Sequence, residues 1–116
     1  MLDQLGGNLE HYMDLLSARQ KLVAGNIANA DTPGYKTQDI DFQSEFESLM
    51  QGPNANQAPR PFDVEGLKVK NDGNNVSIDR EARLLSENAL RFSFASQLLR
   101  HELSAMRSAI QEGRSA

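Results

Sequence analysis

The chain has 116 residues, of which 39% are hydrophobic and only 6% aromatic, and its formal net charge is −4. This length suits one domain, and the composition is lean for a self-contained globular core but ordinary for long helices that find partners. The acidic balance offers no basic surface for nucleic acid or an anionic membrane, and the absence of cysteine excludes disulfides and thiolate chemistry. No stretch approaches the ~18 uninterrupted apolar residues of a membrane span. The first residues resemble no cleavable secretory signal.

The first predicted element is a helix over residues 8–30. Its apolar positions recur at alternating spacings of four and three residues, provided that Gln20 occupies one position of the series. Asn8 is a suitable N-cap, and Gly6 and Gly7 predict a frayed start before it. The predicted seam residues of this helix are Leu9, Met13, Leu16, Val23, Ile27 and Ala30.

An abrupt change of backbone conformation is predicted within residues 25–42, which read GNIANADTPGYKTQDIDF. Pro33 lacks an N–H group and disfavours a helical conformation at Thr32, so the helix must end there. Pro33 and Gly34 supply the fixed φ angle and the permissive residue that a type II turn requires at its two central positions. The sequence therefore predicts a helix that stops in a tight turn.

The polar side chains at this helix end allow two interpretations. Tyr35 either docks against another subunit or folds back over Ile27 and seals its own helix end. Asn26 and Asn29 either bond backbone groups freed at the helix end or form hydrogen bonds to another subunit. The candidate assembly motif comprises Asn26, Ile27, Asn29, Thr32, Pro33, Gly34 and Tyr35.

A short amphipathic helix is predicted next. Phe42, Phe46 and Met50 repeat every four residues, Asp41 is a suitable N-cap, and residues 52–53 (Gly-Pro) form the stop signal.

A loop and a β-hairpin are predicted between this helix and the C-terminal part of the chain. Residues 54–61 are rich in asparagine, glutamine and proline and predict a loop. The β-branched runs on either side of residues 71–75 (NDGNN) predict a hairpin with a five-residue loop. Because a lone hairpin is marginal in water, we expect it to lie on a helix or on another subunit.

A long C-terminal helix is predicted from Asp79, the expected N-cap, to residue 112, with Gly113 as the C′ residue. Its apolar residues keep the alternating spacing over about 33 residues, which corresponds to roughly 50 Å. The predicted seam residues of this helix are Ile78, Ala82, Leu85, Ala89, Phe92, Ser96, Leu99, Leu103, Met106 and Ile110.

Each terminal helix has a second apolar row outside its predicted seam. The rows include Tyr12, Leu15 and Leu22 in the N-terminal helix and Leu90, Phe94 and Leu98 in the C-terminal helix. Contiguous exposed apolar patches mark interfaces, so we expect a subunit that neighbours complete and whose termini are partly disordered when it is alone.

The expected fold is mainly α, with long N- and C-terminal helices in an antiparallel coiled coil and a short helix and small β-hairpin between them. The expected parts are residues 1–34 (first helix and TPG turn), 35–78 (middle segment) and 79–116 (C-terminal helix).

Candidate catalytic or metal-binding residues are few. His11 and His101 lie on different predicted helices without neighbouring ligands, and no H-x-x-x-H, C-x-x-C or EF-hand pattern is present. Residues 71–75 lack the terminal glutamate that a calcium loop needs. Asp39 and Asp41 alternate with apolar residues, which favours an exposed edge or a cap over an acid–base pair. We therefore expect no catalytic residue, no metal and no cofactor.

Residues 19–42 resemble the signature of the bacterial flagellar basal-body rod protein family, and within it they are most similar to the proximal rod. The signature is the run N-I-A-N-A-D-T-P-G-Y-K, with Arg19 and Gln20 before it and D-I-D-F after it. Residues 79–113 resemble the family's C-terminal helix more weakly. The middle segment is short for the family.

This resemblance implies a structural subunit of the flagellar proximal rod, not an enzyme, that self-assembles through its terminal helices as part of the motor drive shaft. The implied partners are other rod proteins, the FliE adaptor and the surrounding basal-body ring, with no nucleic acid and no membrane insertion. The implied location is the periplasmic rod, reached through type III export without a cleaved signal peptide. The alternative is a soluble helical adaptor or secretion chaperone of the flagellar export system.

Overall fold

A computed structural model describes residues 2–51 and 59–115 of the chain. The elements in order are α1 (Leu2–Ala28), β1 (Gln38–Ile40), α2 (Phe42–Gln51), β2 (Pro61–Asp63) and α3 (Ile78–Ser115). The two long helices pack against each other in opposite directions, and α2 packs on α1. The molecule is elongated, with extents of 71 × 28 × 17 Å. These features confirm the mainly helical fold with long terminal helices.

The first helix begins earlier than the sequence predicts. α1 starts at Leu2 and runs through Gly6 and Gly7, although each helical glycine costs about 1 kcal/mol relative to alanine. Gly6 is in contact with α3, because a Cβ added there would lie 3.7 Å from the carboxylate oxygens of Glu102. The contact between α1 and α3 therefore extends to this first segment of α1.

The last helix also extends beyond its predicted limits. Its N-cap is Ser77 rather than Asp79, since the Ser77 hydroxyl accepts the backbone N–H of Arg80 at 3.3 Å. The helix continues through Gly113 to Ser115, so Gly113 does not act as a C′ residue.

The short helix α2 forms as predicted and is capped by Asp41. The Asp41 carboxylate accepts the backbone N–H of Ser44 at 3.3 Å and its hydroxyl at 2.9 Å. The ring of Tyr12 on α1 makes edge contacts with Phe42 and Phe46, at centroid distances of 5.3 and 5.7 Å. α2 thus covers Tyr12, one residue of the second apolar row of α1. The predicted stop at residues 52–53 lies outside the described residues.

The two-stranded sheet forms at a different place from the predicted hairpin. β1 pairs antiparallel with β2, so that Gln38 lies opposite Asp63 and Ile40 opposite Pro61. Residues 71–75 form a turn without flanking strands, in which Asn74 and Asn75 are buried. The hairpin prediction was wrong in position because these two amides bond to other parts of the chain. The predicted loop at 54–61 ends in β2, and residues 54–58 lie outside the described residues.

The face of α3 that contacts α1 is shifted by one residue from the predicted seam. Leu84 is 6% exposed whereas the predicted Leu85 is 38% exposed, and Glu102 is 5% exposed whereas the predicted Leu103 is 53% exposed. The predicted Phe92 is 42% exposed. The buried residues of α3 are Glu81, Leu84, Asn88, Ala95 and Glu102, of which three are polar. Of the other predicted seam residues, Leu99 and Met106 are half-buried, and Ile78, Ala82, Ala89, Leu103 and Ile110 are exposed. Ser96 is half-buried.

The predicted seam of α1 agrees more closely with the contact face. Leu16 and Val23 are each 1% exposed, and Leu9 and Met13 are half-buried. At the C-terminal end, Asn26 replaces Ile27 as the buried residue.

Candidate functional site

The TPGY segment forms a tight turn directly after α1. The backbone N–H of Tyr35 donates to the carbonyl of Thr32 at 3.2 Å, and Gly34 has a φ angle of 76°. A positive φ at the third position of a four-residue turn is the pattern of a type II turn, and glycine adopts it without a steric penalty. Thr32, Pro33 and Gly34 are exposed.

A second turn, around Gly73, packs against this one. The backbone N–H of Gly34 donates to the Asp72 carbonyl at 2.9 Å, and a Cβ on Gly73 would lie 3.4 Å from the Gly34 Cα. The Asn74 amide donates to the carbonyls of Asn29 and Thr32, both at 2.8 Å. Asn74 therefore joins the end of α1 to the segment that leads into α3.

Asn26 lies at the centre of the polar contacts at this end of the molecule and is fully buried. Its amide nitrogen donates to the Gln38 carbonyl at 2.9 Å and to Glu81 at 3.2 Å. Its amide oxygen accepts the Tyr35 hydroxyl at 3.1 Å and the Gln38 N–H at 3.0 Å. An asparagine amide offers two donors and two acceptor positions, so no capacity is left for another subunit.

Tyr35 and Asn29 also make their contacts within the chain. Tyr35 is half-buried, and its hydroxyl lies over α1, where a Cβ on Gly25 would be 3.9 Å away. The Asn29 amide donates to the Gly25 carbonyl at 2.8 Å, which caps the helix end. Ile27 does not join this cluster and is 38% exposed.

Asp39 forms ion pairs that connect α1, β1 and α3. Its carboxylate accepts two hydrogen bonds from Arg19, at 3.0 and 3.1 Å, and one from Arg80 at 2.6 Å. Burial raises the pKa of Asp39, but the bonds from Arg19, the Ile40 N–H and Arg80 outweigh burial and hold this pKa below its ordinary value. Arg80 also donates to the fully buried Glu81 at 2.7 Å.

We call this cluster the polar corner. It comprises Arg19, Asn26, Asn29, Tyr35, Thr37, Asp39, Asn74, Asn75, Arg80 and Glu81. Thr37 is fully buried, and its N–H and hydroxyl donate to the Asn75 amide oxygen at 2.7 and 2.8 Å. The groups of the corner bond to one another, which indicates a rigid connection. In the described residues, no group of three or more acidic, histidine or cysteine side chains is arranged to hold a metal ion.

Sequence reasoning missed most of the polar corner. The residues that were not among the predicted site residues are Arg19, Thr37, Asp39, Asn74, Asn75, Arg80 and Glu81. The expectation that Asp39 lies on an exposed edge or caps a helix was wrong, because its ion pairs with Arg19 and Arg80 hold it at 4% exposure. A signal existed at Glu81, because an acidic residue there is one helical turn from apolar Leu84 and Leu85. The asparagine pair gave no comparable signal, since asparagine after a glycine is equally typical of an exposed turn.

The outer surface of α3 carries a second apolar row that residues 2–51 and 59–115 leave uncovered. Leu90 is 73% exposed, Phe94 63% and Leu98 42%. Shallow grooves lie on both sides of the α1–α3 pair: one is bordered by Leu16 and Phe92, and the other by Tyr12 and Phe94. Contiguous exposed apolar patches rimmed by polar residues mark interaction sites, such as contacts with other proteins. None of the helices described for the chain has the length and apolarity needed to cross a membrane.

Comparison with known proteins is consistent with this geometry. The family model described as flagella basal body rod protein matches residues 13–36, which cover the second half of α1 and the TPGY turn.

Relatives match almost the whole chain. The chain is 34% identical to the flagellar basal body rod protein FlgB of Escherichia coli (strain K12), with 97% of this chain and 99% of the relative covered. It is 31% identical to FlgB of Yersinia ruckeri, with 97% and 100% covered, and 32% identical to FlgB of Borrelia hermsii, with 89% and 93% covered. The first two alignments each span 137 positions, so these relatives have residues that this chain lacks. The signature turn, the helix pair and this similarity together show that the chain belongs to the FlgB family of flagellar basal body rod proteins.

Proposed function

We propose that this chain is a structural subunit of the proximal rod of the bacterial flagellum, and that it assembles through its terminal helices. The observation that carries the proposal is the apolar row of Leu90, Phe94 and Leu98 on the outer surface of α3, which is exposed in the part of the chain that the structure describes. Burying such a row against neighbouring helices supplies the free energy of assembly. Membership of the FlgB family identifies the assembly as the rod.

In this proposal the α1–α3 pair is the packing unit and the polar corner sets its geometry. The corner holds the end of α1, the first strand and the start of α3 through hydrogen bonds centred on Asn26 and Asp39. A fixed exit angle keeps the apolar rows of α3 in one orientation relative to α1. Neighbouring subunits then meet the same surface on every copy, which a regular assembly requires.

The proposed partners are other copies and other rod proteins, the FliE adaptor and the surrounding basal-body ring. The proposed location is the periplasmic part of the basal body, reached by flagellar type III export without a cleaved signal. We also propose that the role is structural rather than enzymatic. The support for these finer statements is family membership together with a surface that offers helices and shallow apolar grooves.

The test is mass spectrometry of basal bodies purified from flagellated cells of the source organism, after the filament and hook have been removed. We expect the chain to remain in the fraction that contains the rod, in a strain where motility depends on its gene. Finding the chain only in the cytosol of flagellated cells would overturn the proposal and favour a soluble adaptor or secretion chaperone.

A further inference from the structure

Glu102 is a buried acidic residue at the end of the α1–α3 pair opposite to the polar corner. The residue is 5% exposed, and within the described ranges neither carboxylate oxygen has a hydrogen-bond partner. The carboxylate faces α1 at Gly6, since a Cβ there would lie 3.7 Å from each oxygen. An ionised carboxylate in this position loses hydration without compensation, which is costly unless a partner is supplied.

The other buried acids of the chain show what compensation looks like. Asp39 is paired with Arg19 and Arg80, and Glu81 is bonded by Arg80 and Asn26. Both acids lie in the polar corner, where the chain supplies its own cations. Glu102 differs from these two acids because no cationic side chain of the described residues pairs with it.

The sequence around Glu102 cannot provide a cation from the same helix. Side chains meet along a helix at spacings of three and four residues, and these positions hold Leu98, Leu99, Ala105 and Met106. The arginines of α3 closest in sequence are two and five residues away and point elsewhere around the helix. A compensating cation must therefore come from outside this helix.

The surroundings of Glu102 place it within the surface that assembly would cover. Leu98 and Leu103, on either side of it in sequence, are 42% and 53% exposed. Beside Gly6, a Cβ on Gly7 would have no heavy atom of another segment within 4 Å, so the edge of α1 is open there. This open edge is one residue along α1 from Gly6, which the Glu102 carboxylate faces.

We propose that Glu102 is the acceptor for an arginine or lysine side chain of a neighbouring rod subunit, which enters beside Gly7. This inference rests on the proposed function, because it requires a neighbour. A cationic side chain fits the site because it neutralises the charge and donates to both oxygens. A metal ion would need further ligands, and the described residues contain no group of three acids, histidines or cysteines that could hold one.

The proposal gives Glu102 opposite effects in the free and the assembled subunit. In the free chain the unpaired carboxylate weakens the contact between the first turns of α1 and the second half of α3. In the assembly the partner's cation converts the same carboxylate into a buried ion pair, whose loss leaves the cation unpaired. A residue with a merely structural role would change stability and assembly in the same direction.

The test uses Glu102→Gln, a neutral variant of the same shape, and Glu102→Met, an apolar variant of similar length. We expect both purified full-length variants to unfold at a higher urea concentration than the wild type. In a strain without the native gene, we expect basal bodies to retain about tenfold less of either variant, as the loss of one partner of a buried charge pair implies. Glu87→Gln is the control, because Glu87 lies exposed on the same helix and its change should alter neither measurement.

Two results would overturn the inference. If neither variant is more stable than the wild type, the Glu102 carboxylate does not destabilise the free chain, and the first premise of the inference fails. If both variants are more stable and are retained in basal bodies at the wild-type level, no cation of a neighbouring subunit pairs with Glu102. Absence of the wild-type chain from basal bodies would instead overturn the proposed function, so the two failures are distinguishable.

Discussion

Asn26 shows why an asparagine can be needed where the helical pattern favours an apolar residue. Its amide uses both donors and both acceptor positions for bonds to Tyr35, Gln38 and Glu81, in a place with no exposure to solvent. Any replacement leaves several buried groups without a partner, and each such group costs about 1–3 kcal/mol. The residue thus selects one arrangement of three segments.

We expect Asn26→Ala to reduce the free energy of unfolding by about 3–5 kcal/mol, because it removes hydrogen-bond partners from Glu81, Tyr35 and the backbone of Gln38 and leaves a cavity. Urea denaturation followed by circular dichroism measures the change. Asn71→Ala is the matched control, because Asn71 is exposed in the turn. The free energy of unfolding of this variant should stay within about 0.5 kcal/mol of the wild-type value. Similar values for the two variants would contradict the role assigned to Asn26.

Asp39 makes the stability of the chain depend on pH in a predictable direction. Because its folded-state pKa is lowered, the ion pairs with Arg19 and Arg80 contribute fully above the unfolded-state pKa of about 3.9. This contribution is lost as the pH falls from about 4 through the folded-state pKa. The free energy of unfolding of the wild type should therefore exceed that of Asp39→Asn by about 3 kcal/mol at neutral pH. This difference should stay constant down to about pH 5 and become smaller below about pH 4.

Urea unfolding of both proteins at a series of pH values tests this dependence. Asp31→Asn is the control, because Asp31 is exposed beside the same helix end. A stability difference between the wild type and Asp39→Asn that grew as the pH fell would argue against a paired Asp39. An equal loss of stability in Asp39→Asn and Asp31→Asn would do the same.

At the scale of elements, glycines illustrate how the same residue type plays opposite parts. Gly34 has a φ angle of 76° in the TPGY turn, where a side chain is strained, whereas Gly113 lies inside α3 with nothing within 4 Å of an added Cβ. The helical glycine only reduces helix propensity. The turn glycine is required by the backbone itself.

We expect Gly34→Ala to destabilise the chain by about 1–2 kcal/mol, because alanine at positive φ brings its Cβ close to the following carbonyl. Gly113→Ala, the same chemical change, should be neutral or stabilising by up to about 1 kcal/mol. Thermal unfolding of both variants provides the comparison. Destabilisation of equal size at both positions would mean that the turn does not need its left-handed residue.

At the scale of the whole molecule, folding of the subunit and assembly should separate at the surface of α3. Phe94 is 63% exposed, so Phe94→Asp should leave the unfolding midpoint nearly unchanged yet abolish motility, because it puts a charge into a neighbour's contact. Ile27→Asp, at a position 38% exposed, should also abolish assembly. Leu99→Asp should abolish assembly and in addition destabilise the subunit, since Leu99 is half-buried.

Complementation of a strain without the gene, scored by swimming, together with circular dichroism of the purified variants, makes this comparison. Ser104→Asp is the control, because Ser104 is exposed on the polar side of α3, and a strain that carries this variant should swim normally. Normal swimming of Phe94→Asp or Ile27→Asp would count against assembly through these surfaces.

The sequence alone was sufficient for the two long helices, the capped short helix and the turn at Pro33 and Gly34, because spacing and local backbone preferences act within a few residues. It also sufficed for the family, since the signature is one continuous run. It could not identify the face of α3 that meets α1. Three of the residues buried there are polar, and they lie opposite Asn26, Gln20 and Gly6 of α1, which the pattern of α3 alone does not report.

The position of the sheet was likewise decided by tertiary structure. The runs beside residues 71–75 have the composition of strands, but the amides of Asn74 and Asn75 find partners at Asn29 and Thr37. Those hydrogen bonds join segments about 40 residues apart, which no local pattern can report. Local preferences therefore determined which elements form, whereas the pairing of buried polar groups determined how they are arranged.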